Sequence, residues 1–186
     1  MSGTTVPVVI HSVGGRRRAA VGQSASAEAV QNNHRRAASW PYVELDTRAL
    51  RDGGWRPTPV RELVLKVHQR CNLACDYCYV YTHADQSWRD RPDVMPDDVW
   101  RAVLDRLGRH VRTHAMPSVR AVLHGGEPLL LGPTRIGQLA ADLRGAVPSD
   151  CRLDIGLQTN GVLLNEAMAE VLREHGITVG VSVDGT

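Results

Sequence analysis

The sequence predicts an α/β fold in which parallel strands alternate with helices. From about residue 60 to the end, apolar and amphipathic segments follow the order strand, helix, strand, helix, strand, helix, strand. This alternation is typical of βα units with right-handed crossovers. A cysteine-rich loop and two polar turns follow the first three predicted strands. Because the carboxyl ends of parallel strands share one edge of the sheet, these three motifs are expected to lie together.

The four predicted strands are short apolar runs bounded by polar or turn-forming residues. They cover residues 62–67, 119–124, 152–157 and 177–183. The fourth leads into Asp184-Gly185-Thr186, where the chain stops. We expect two further βα units to be missing, so that the fourth strand lies at or near an exposed edge of the sheet.

Three helices are predicted between these strands from capping residues and from a helical spacing of apolar side chains. The first runs from Pro96, at its first helical position, to about Ala115. The second covers 134–147, and the third is capped by Asn165 and ends before Gly176. The side chains expected to face the core are Val99, Val103, Leu107, Val111, Ile136, Leu139, Ala140, Leu143, Met168 and Leu172.

The first 59 residues carry weaker patterns. Residues 1–38 show no sustained period of 2 or 3.6 and are predicted to be a disordered tail. Residues 39–59 are predicted to be a lead-in segment with a turn at Asp52-Gly53-Gly54. The core domain is then expected to span 60–186.

Composition excludes several classes of function. Hydrophobic residues make up 42% and charged residues 23%, as in an ordinary globular protein. A net charge of +2 gives no case for a nucleic-acid partner, and no apolar run is long enough to span a membrane. Clustered free thiols fit a reducing cytoplasm, which is the predicted location.

Three cysteines, Cys71, Cys75 and Cys78, lie within one loop directly after the first strand. Thiolates bind iron–sulfur clusters strongly, and three of them on a four-iron cluster leave one iron open to a small molecule. A zinc site is the alternative, with His68 or His83 as the fourth ligand. A disulfide framework is disfavoured because the three are so crowded. The fourth cysteine, Cys151, is expected to be a small buried residue.

The pattern Cys-x3-Cys-x2-Cys after a first strand, with the aromatic Tyr77 before the third cysteine, resembles the radical S-adenosylmethionine (radical SAM) enzymes. The resemblance implies that Cys71, Cys75 and Cys78 ligate a [4Fe–4S] cluster. It implies that the open iron chelates SAM and that SAM is cleaved reductively to a 5′-deoxyadenosyl radical. It also implies a partial barrel, with about four of six βα units in this chain.

Further positions follow from the same resemblance. Gly125-Gly126-Glu127-Pro128 comes after the second strand, where radical SAM enzymes hold the amino group of SAM. The resemblance therefore assigns Gly125, Gly126 and Glu127 to that group. It assigns the backbone of Tyr77 to the adenine and Ser182 to the ribose or carboxylate. No catalytic residue is assigned.

The third motif, Gln158-Thr159-Asn160-Gly161, is similar to one in the sulfatase-maturing and peptide-modifying members. An Asn-Gly turn alone would explain Asn160 and Gly161 equally well. The run from Cys75 to Trp88 resembles a cyclophane-forming subgroup. These likenesses imply a precursor peptide or protein substrate, a crosslinking reaction and an electron donor. The alternatives are a zinc-binding interaction module or an inactive fragment.

Overall fold

The computed structural model describes residues 8–12 and 46–183. The chain divides into two units, one formed by residues 1–15 with 59–186 and the other by 16–58. In the second unit, helix α1 (Thr47–Asp52) begins at Asp46, whose Oδ1 accepts hydrogen bonds from the backbone N–H groups of Arg48 and Ala49. This capped helix lies inside the predicted lead-in segment, and the predicted turn follows it at Gly53 and Gly54.

In the larger unit, the described strands form one parallel sheet of five strands in the order β1-β5-β4-β3-β2. The strands are β1 (Val8–Ser12), β2 (Glu62–His68), β3 (Ser118–Gly125), β4 (Arg152–Thr159) and β5 (Ile177–Val183). The last four confirm the predicted strands, and the α/β architecture is as expected.

Strand β1 corrects two expectations. It pairs with β5 from Val8 opposite Val179 to Ser12 opposite Val183. These five residues are therefore ordered in a sheet instead of belonging to a disordered tail, and β5 has a neighbour on each side. The run is rich in β-branched residues, but its strand conformation depends on pairing with a segment far along the chain. The other residues of 1–38 lie outside the described part of the structure.

The three helices of the larger unit connect the strands as predicted. They are α2 (Asp97–Thr113), α3 (Gly132–Ala146) and α4 (Glu166–Glu174). Short 3₁₀ helices at Ser87–Asp90 and Pro128–Leu131 precede α2 and α3. Within residues 8–12 and 46–183, no helix has the length and apolar character needed to cross a membrane.

The predicted inner faces of α3 and α4 are confirmed. All four apolar residues assigned to the core side of α3 are buried, as are Met168 and Leu172 on α4. Asn165 caps α4 by accepting a 3.0 Å hydrogen bond from the backbone of Met168. Gly176 ends it with a φ of +56°, a conformation that favours glycine.

The predicted inner face of helix α2 is confirmed at Leu107 and Val111, and Val103 packs against the core, but the prediction is wrong at Val99. Val99 is 43% exposed, whereas its neighbour Trp100 is 3% exposed. The indole Nε1 of Trp100 donates a 2.9 Å hydrogen bond to Asp142 on α3. Trp100 shares a helix face with the buried Leu107 and Val111, and its large ring removes more apolar surface from water than valine would. Pro96 was predicted to occupy the first helical position, but it is the N-cap, and the helix begins at Asp97.

Candidate functional site

The cysteine loop, residues 69–82, follows β2, and its first residues are held in place by hydrogen bonds. Gln69 donates a backbone hydrogen bond of 2.6 Å to Asp93, and Met95 donates one of 3.0 Å to Val67. The Arg70 guanidinium also pairs with the Asp93 carboxylate at 2.6 Å. These contacts hold the segment around residue 93 against the end of β2, so the start of the loop is set by the sheet.

Inside the loop the backbone folds on itself around the cysteines. Cys78 N–H donates to the carbonyl of Cys75 at 3.2 Å, and Thr82 donates to the carbonyl of Cys78 through both its N–H and its hydroxyl. Leu73 N–H donates to the Cys71 sulfur at 3.4 Å. The three thiols are half-buried, while Cys151 is buried as predicted.

The cysteine loop borders a cavity that Cys71 and Cys75 line and Cys78 does not. Cys71 and Cys75 line a cavity of about 390 Å³ together with Arg70, Leu73, Ala74, Asp76, Tyr81, Thr82 and Trp88. Within residues 8–12 and 46–183, no three His, Cys, Asp or Glu side chains are grouped to hold a single ion. A four-iron cluster takes each thiolate on a different iron, so its ligands need not meet at one point.

The two histidines named in the zinc alternative, His68 and His83, are not grouped with the cysteines within residues 8–12 and 46–183. His68 is 8% exposed, and its Nδ1 lies 3.1 Å from both the backbone nitrogen and the carbonyl oxygen of Arg70. His83 is exposed, one residue beyond the loop. Neither histidine joins two of the cysteines in a grouping suited to one ion among the described residues.

Tyr81 holds the loop together from inside. Its hydroxyl donates a 2.5 Å hydrogen bond to the carbonyl of Gln69, and its ring packs edge-on against Trp88 with centroids 4.9 Å apart. Burial raises the pKa of Tyr81 to about 12, with smaller contributions from negative charge on Cys71 and Cys78. The phenol therefore remains a hydrogen-bond donor at neutral pH.

Gly125 and Gly126 allow the end of β3 to approach the start of the loop closely. A Cβ atom on Gly125 would collide with the carbonyl oxygen of His68, and one on Gly126 with the Tyr81 hydroxyl and the Arg70 carbonyl. Gly126 and Glu127 donate backbone hydrogen bonds of 2.9 and 2.8 Å to these same two carbonyls. The two glycines are thus required by packing against the loop. Their predicted contact with SAM stays a prediction.

The carboxyl group of Glu127 is completely buried and bridges the ends of β3 and β4. Its Oε1 accepts hydrogen bonds from the Leu129 backbone at 2.9 Å and the Thr159 hydroxyl at 2.7 Å. Its Oε2 accepts one from the Asn160 backbone at 2.8 Å. This bridge was not foreseen, because its partners on β4 lie more than 30 residues away.

The polar turn after β4 reaches the cysteine loop directly. Gly161 has a φ of +81°, and the side-chain Oδ1 of Asn160 accepts a 3.0 Å hydrogen bond from Val162, so an Asn-Gly turn is present. The Asn160 Nδ2 donates to Asn72 Oδ1 at 2.8 Å and lies 3.7 Å from the Cys71 sulfur. The predicted motif is thus joined to the cysteine loop, through a partner, Asn72, that the sequence pattern did not single out.

The two remaining predicted site residues lie at either side of these motifs. Tyr77 is 57% exposed on the cysteine loop. Ser182 is exposed near the end of β5, where its hydroxyl accepts a 2.8 Å hydrogen bond from Gln158 on β4. Because β2, β3, β4 and β5 are adjacent and parallel, all of these positions lie at the carboxyl-terminal ends of the strands, on the same side of the sheet, as expected.

The chain belongs to the radical SAM superfamily. The family model for that superfamily matches residues 65–186, a range that includes every predicted site residue. Its members are enzymes that use a four-iron cluster and SAM. That Cys71, Cys75 and Cys78 ligate the cluster in this chain stays a prediction.

Within this superfamily, the chain is similar to enzymes that mature sulfatases. The chain is 34% identical to a serine-type anaerobic sulfatase-maturating enzyme of Bacteroides thetaiotaomicron over 68% of this chain and 30% of the relative. It is 29% identical to a cysteine-type enzyme of Clostridium perfringens over 68% of this chain and 33% of the relative. A solved structure described as native anSMEcpe with bound AdoMet and Cp18Cys peptide superposes with a TM-score of 0.55 at 28% identity, over 69% of this chain and 32% of that one. The chain spans about a third of the length of the curated relatives it matches.

Proposed function

We propose that this chain forms the cofactor-binding part of an enzyme that cleaves SAM reductively and uses the resulting radical to modify a peptide or protein. The observation that carries the proposal is the placement of three half-buried thiols in one loop at the edge of a parallel sheet. The ends of β3 and β4 pack directly against that loop.

The chain's residues divide the work of binding. Cys71, Cys75 and Cys78 hold the four-iron cluster as thiolates, which supplies the electron for SAM cleavage when bound. The amino group of SAM binds at the end of β3 formed by Gly125, Gly126 and Glu127. The Glu127 carboxyl group is completely buried and fixes that strand end through Leu129, Thr159 and Asn160 instead of facing the ligand. The backbone of Tyr77 faces the adenine, and Ser182 faces the ribose or the carboxylate. Ser182 and Tyr77 are both exposed, so a ligand can reach each of them.

The substrate is proposed to be a ribosomally made precursor peptide, and the reaction a carbon–carbon crosslink between its side chains. The sulfatase-maturating relatives and a peptide-bound neighbour support a peptide or protein substrate. The sequence of the loop from Cys75 to Trp88 supports the crosslink. The reaction takes place in a reducing cytoplasm, because free thiols and a reduced cluster both need such a compartment, and it requires an electron donor.

Anaerobic reconstitution with iron and sulfide tests the first step. The full chain should take up a four-iron cluster with a broad visible absorption, and it should release 5′-deoxyadenosine when SAM and dithionite are added. A variant with all three loop cysteines changed to alanine is the matched control and should do neither. Stoichiometric zinc binding by the wild-type chain, with no affinity for SAM, would instead support an interaction module.

The substrate class is tested separately by mass spectrometry. A peptide encoded beside this gene should lose two hydrogen atoms for each crosslink when it is incubated with the full-length enzyme, SAM and reductant. Fragment ions that bridge two side chains would locate the new bond. SAM cleavage with no change in the mass of any neighbouring peptide would count against the crosslinking proposal alone.

A further inference from the structure

Asn160 is the residue through which the sheet touches the cysteine loop most directly. It follows β4, yet its side-chain Nδ2 lies 2.8 Å from Asn72 Oδ1 and 3.7 Å from the Cys71 sulfur. Both partners belong to the first limb of the loop. One amide group therefore contacts a proposed cluster ligand and the residue beside it.

The orientation of this amide is fixed by its other contact. The Asn160 Oδ1 accepts a 3.0 Å hydrogen bond from the backbone N–H of Val162. A backbone N–H can only donate, so the oxygen must face Val162 and the NH₂ group must face the loop. The group presented to the Cys71 sulfur is thus a hydrogen-bond donor.

The backbone of Asn160 is held as firmly as its side chain. Its N–H donates to the buried Glu127 carboxyl group at 2.8 Å, and the same carboxyl group binds the hydroxyl of Thr159. Glu127 in turn donates its own backbone N–H to Arg70, immediately before Cys71. Asn160 and Cys71 are therefore fixed relative to one buried group, which keeps the donor in place before any cluster binds.

We infer that Asn160 is a positioning residue for the cluster, donating an N–H to the Cys71 thiolate and raising the cluster's reduction potential. The inference rests on the proposed function. A hydrogen bond to a ligating sulfur stabilises the reduced cluster, which carries one more negative charge than the oxidised form. Loss of the donor should therefore make the cluster harder to reduce.

The test is a redox titration of the reconstituted full chain, followed by electron paramagnetic resonance without SAM or substrate. Asn160→Ala removes the donor, and its midpoint potential should shift to a more negative value while iron content stays at the wild-type level. Asn160→Asp keeps an acceptor for Val162 but adds negative charge, so its shift should be larger. Asn72→Ala is the comparison: it removes an acceptor oxygen that lies 2.8 Å from the Asn160 Nδ2 and 3.9 Å from the Cys71 sulfur, and it keeps the Asn160 donor, so its potential should not become more negative.

Each alternative outcome decides the matter. An unchanged potential in both Asn160 variants would overturn the inference. Loss of iron from both variants, with an unchanged circular dichroism spectrum, would also overturn it, because Asn160 would then be needed to hold the cluster and not to set its potential. Loss of iron accompanied by unfolding would overturn it, because Asn160 would then serve the fold and not the cluster. A wild-type chain that binds no cluster would overturn the proposed function itself and this inference with it.

Discussion

The ends of β3 and β4 pack against the cysteine loop, but the two regions differ in how far their polar side chains are buried. At the strand ends, Glu127 is completely buried and Thr159 is 3% exposed, and one hydrogen bond joins them across the sheet. On the loop, Tyr77 is 57% and Tyr79 is 72% exposed, and the thiols are half-buried. The strand ends are thus fixed by folding alone, whereas the loop keeps its polar groups accessible for a ligand.

This difference separates two kinds of substitution. A change at the strand ends removes buried hydrogen bonds and should lower the free energy of unfolding, with or without cofactor. A change at a loop cysteine removes the sulfur of a half-buried side chain. It should abolish cofactor binding and leave the metal-free fold nearly as stable as before.

The largest expected effect is on cluster binding by the loop. Cys75→Ala should reduce the iron content of the reconstituted chain to background, because a cluster held by three thiolates loses a third of its protein ligands. The thermal midpoint of the metal-free variant should stay close to that of wild type.

Cys151→Ala is the matched control, since Cys151 is buried at the start of β4 and burial raises the pKa of its thiol. This variant should retain wild-type iron. Iron that survives the loss of Cys75, or disappears with the loss of Cys151, would mean that the cluster ligands have been misassigned.

The second effect is on stability at the strand ends. Glu127→Ala leaves the donors on Leu129, Thr159 and Asn160 without their acceptor in a buried site. Each unpaired donor costs about 1–3 kcal/mol of folding free energy. The free energy of unfolding, measured by urea denaturation of the metal-free chain, should fall by about 3 kcal/mol or more.

Glu62→Ala is the comparison for that change. Glu62 lies on β2 and pairs with Arg120 at 3.4 Å, with both side chains more than half exposed. An exposed pair of this kind contributes little, so the loss should stay below about 0.5 kcal/mol. Equal losses in the two variants would show that the Glu127 bridge does not stabilise the strand ends.

The sequence predicted the features that depend on local pattern. The strands from β2 to β5, the core faces of α3 and α4, and the Asn-Gly turn follow from periodicity and turn chemistry within a few residues. It missed features that depend on distant partners. Strand β1 needs β5 beside it, Trp100 needs Asp142 on α3, and the bridging role of Glu127 needs Thr159 and Asn160.

The candidate site divides in the same way. Residue types and spacing singled out the three cysteines, and the resemblance to the radical SAM enzymes singled out the two polar motifs, because each motif is contiguous. The sequence could not reveal that Asn160 reaches Asn72, or that Tyr81 occupies the space beside Gly126. Such contacts arise only when the ends of neighbouring strands are brought together by the sheet.

The smallest expected effect concerns the residue that belongs to both regions. Tyr81 is part of the loop, but its hydroxyl lies against Gly126 at the end of β3 and donates to the carbonyl of Gln69 at 2.5 Å. Tyr81→Phe removes that donor and keeps the ring against Trp88, so the free energy of unfolding should fall by about 1 kcal/mol while iron content is unchanged. Tyr79→Phe is the control, because Tyr79 is 72% exposed and its variant should unfold like wild type in the same urea titration. If the two variants are indistinguishable, the hydroxyl of Tyr81 does not fasten the loop to the strand ends. The attachment of the loop to the strand ends would then depend on the contacts of Asn160 and Arg70. Tyr81 would belong with the accessible loop residues and Gly126 with the fixed strand ends.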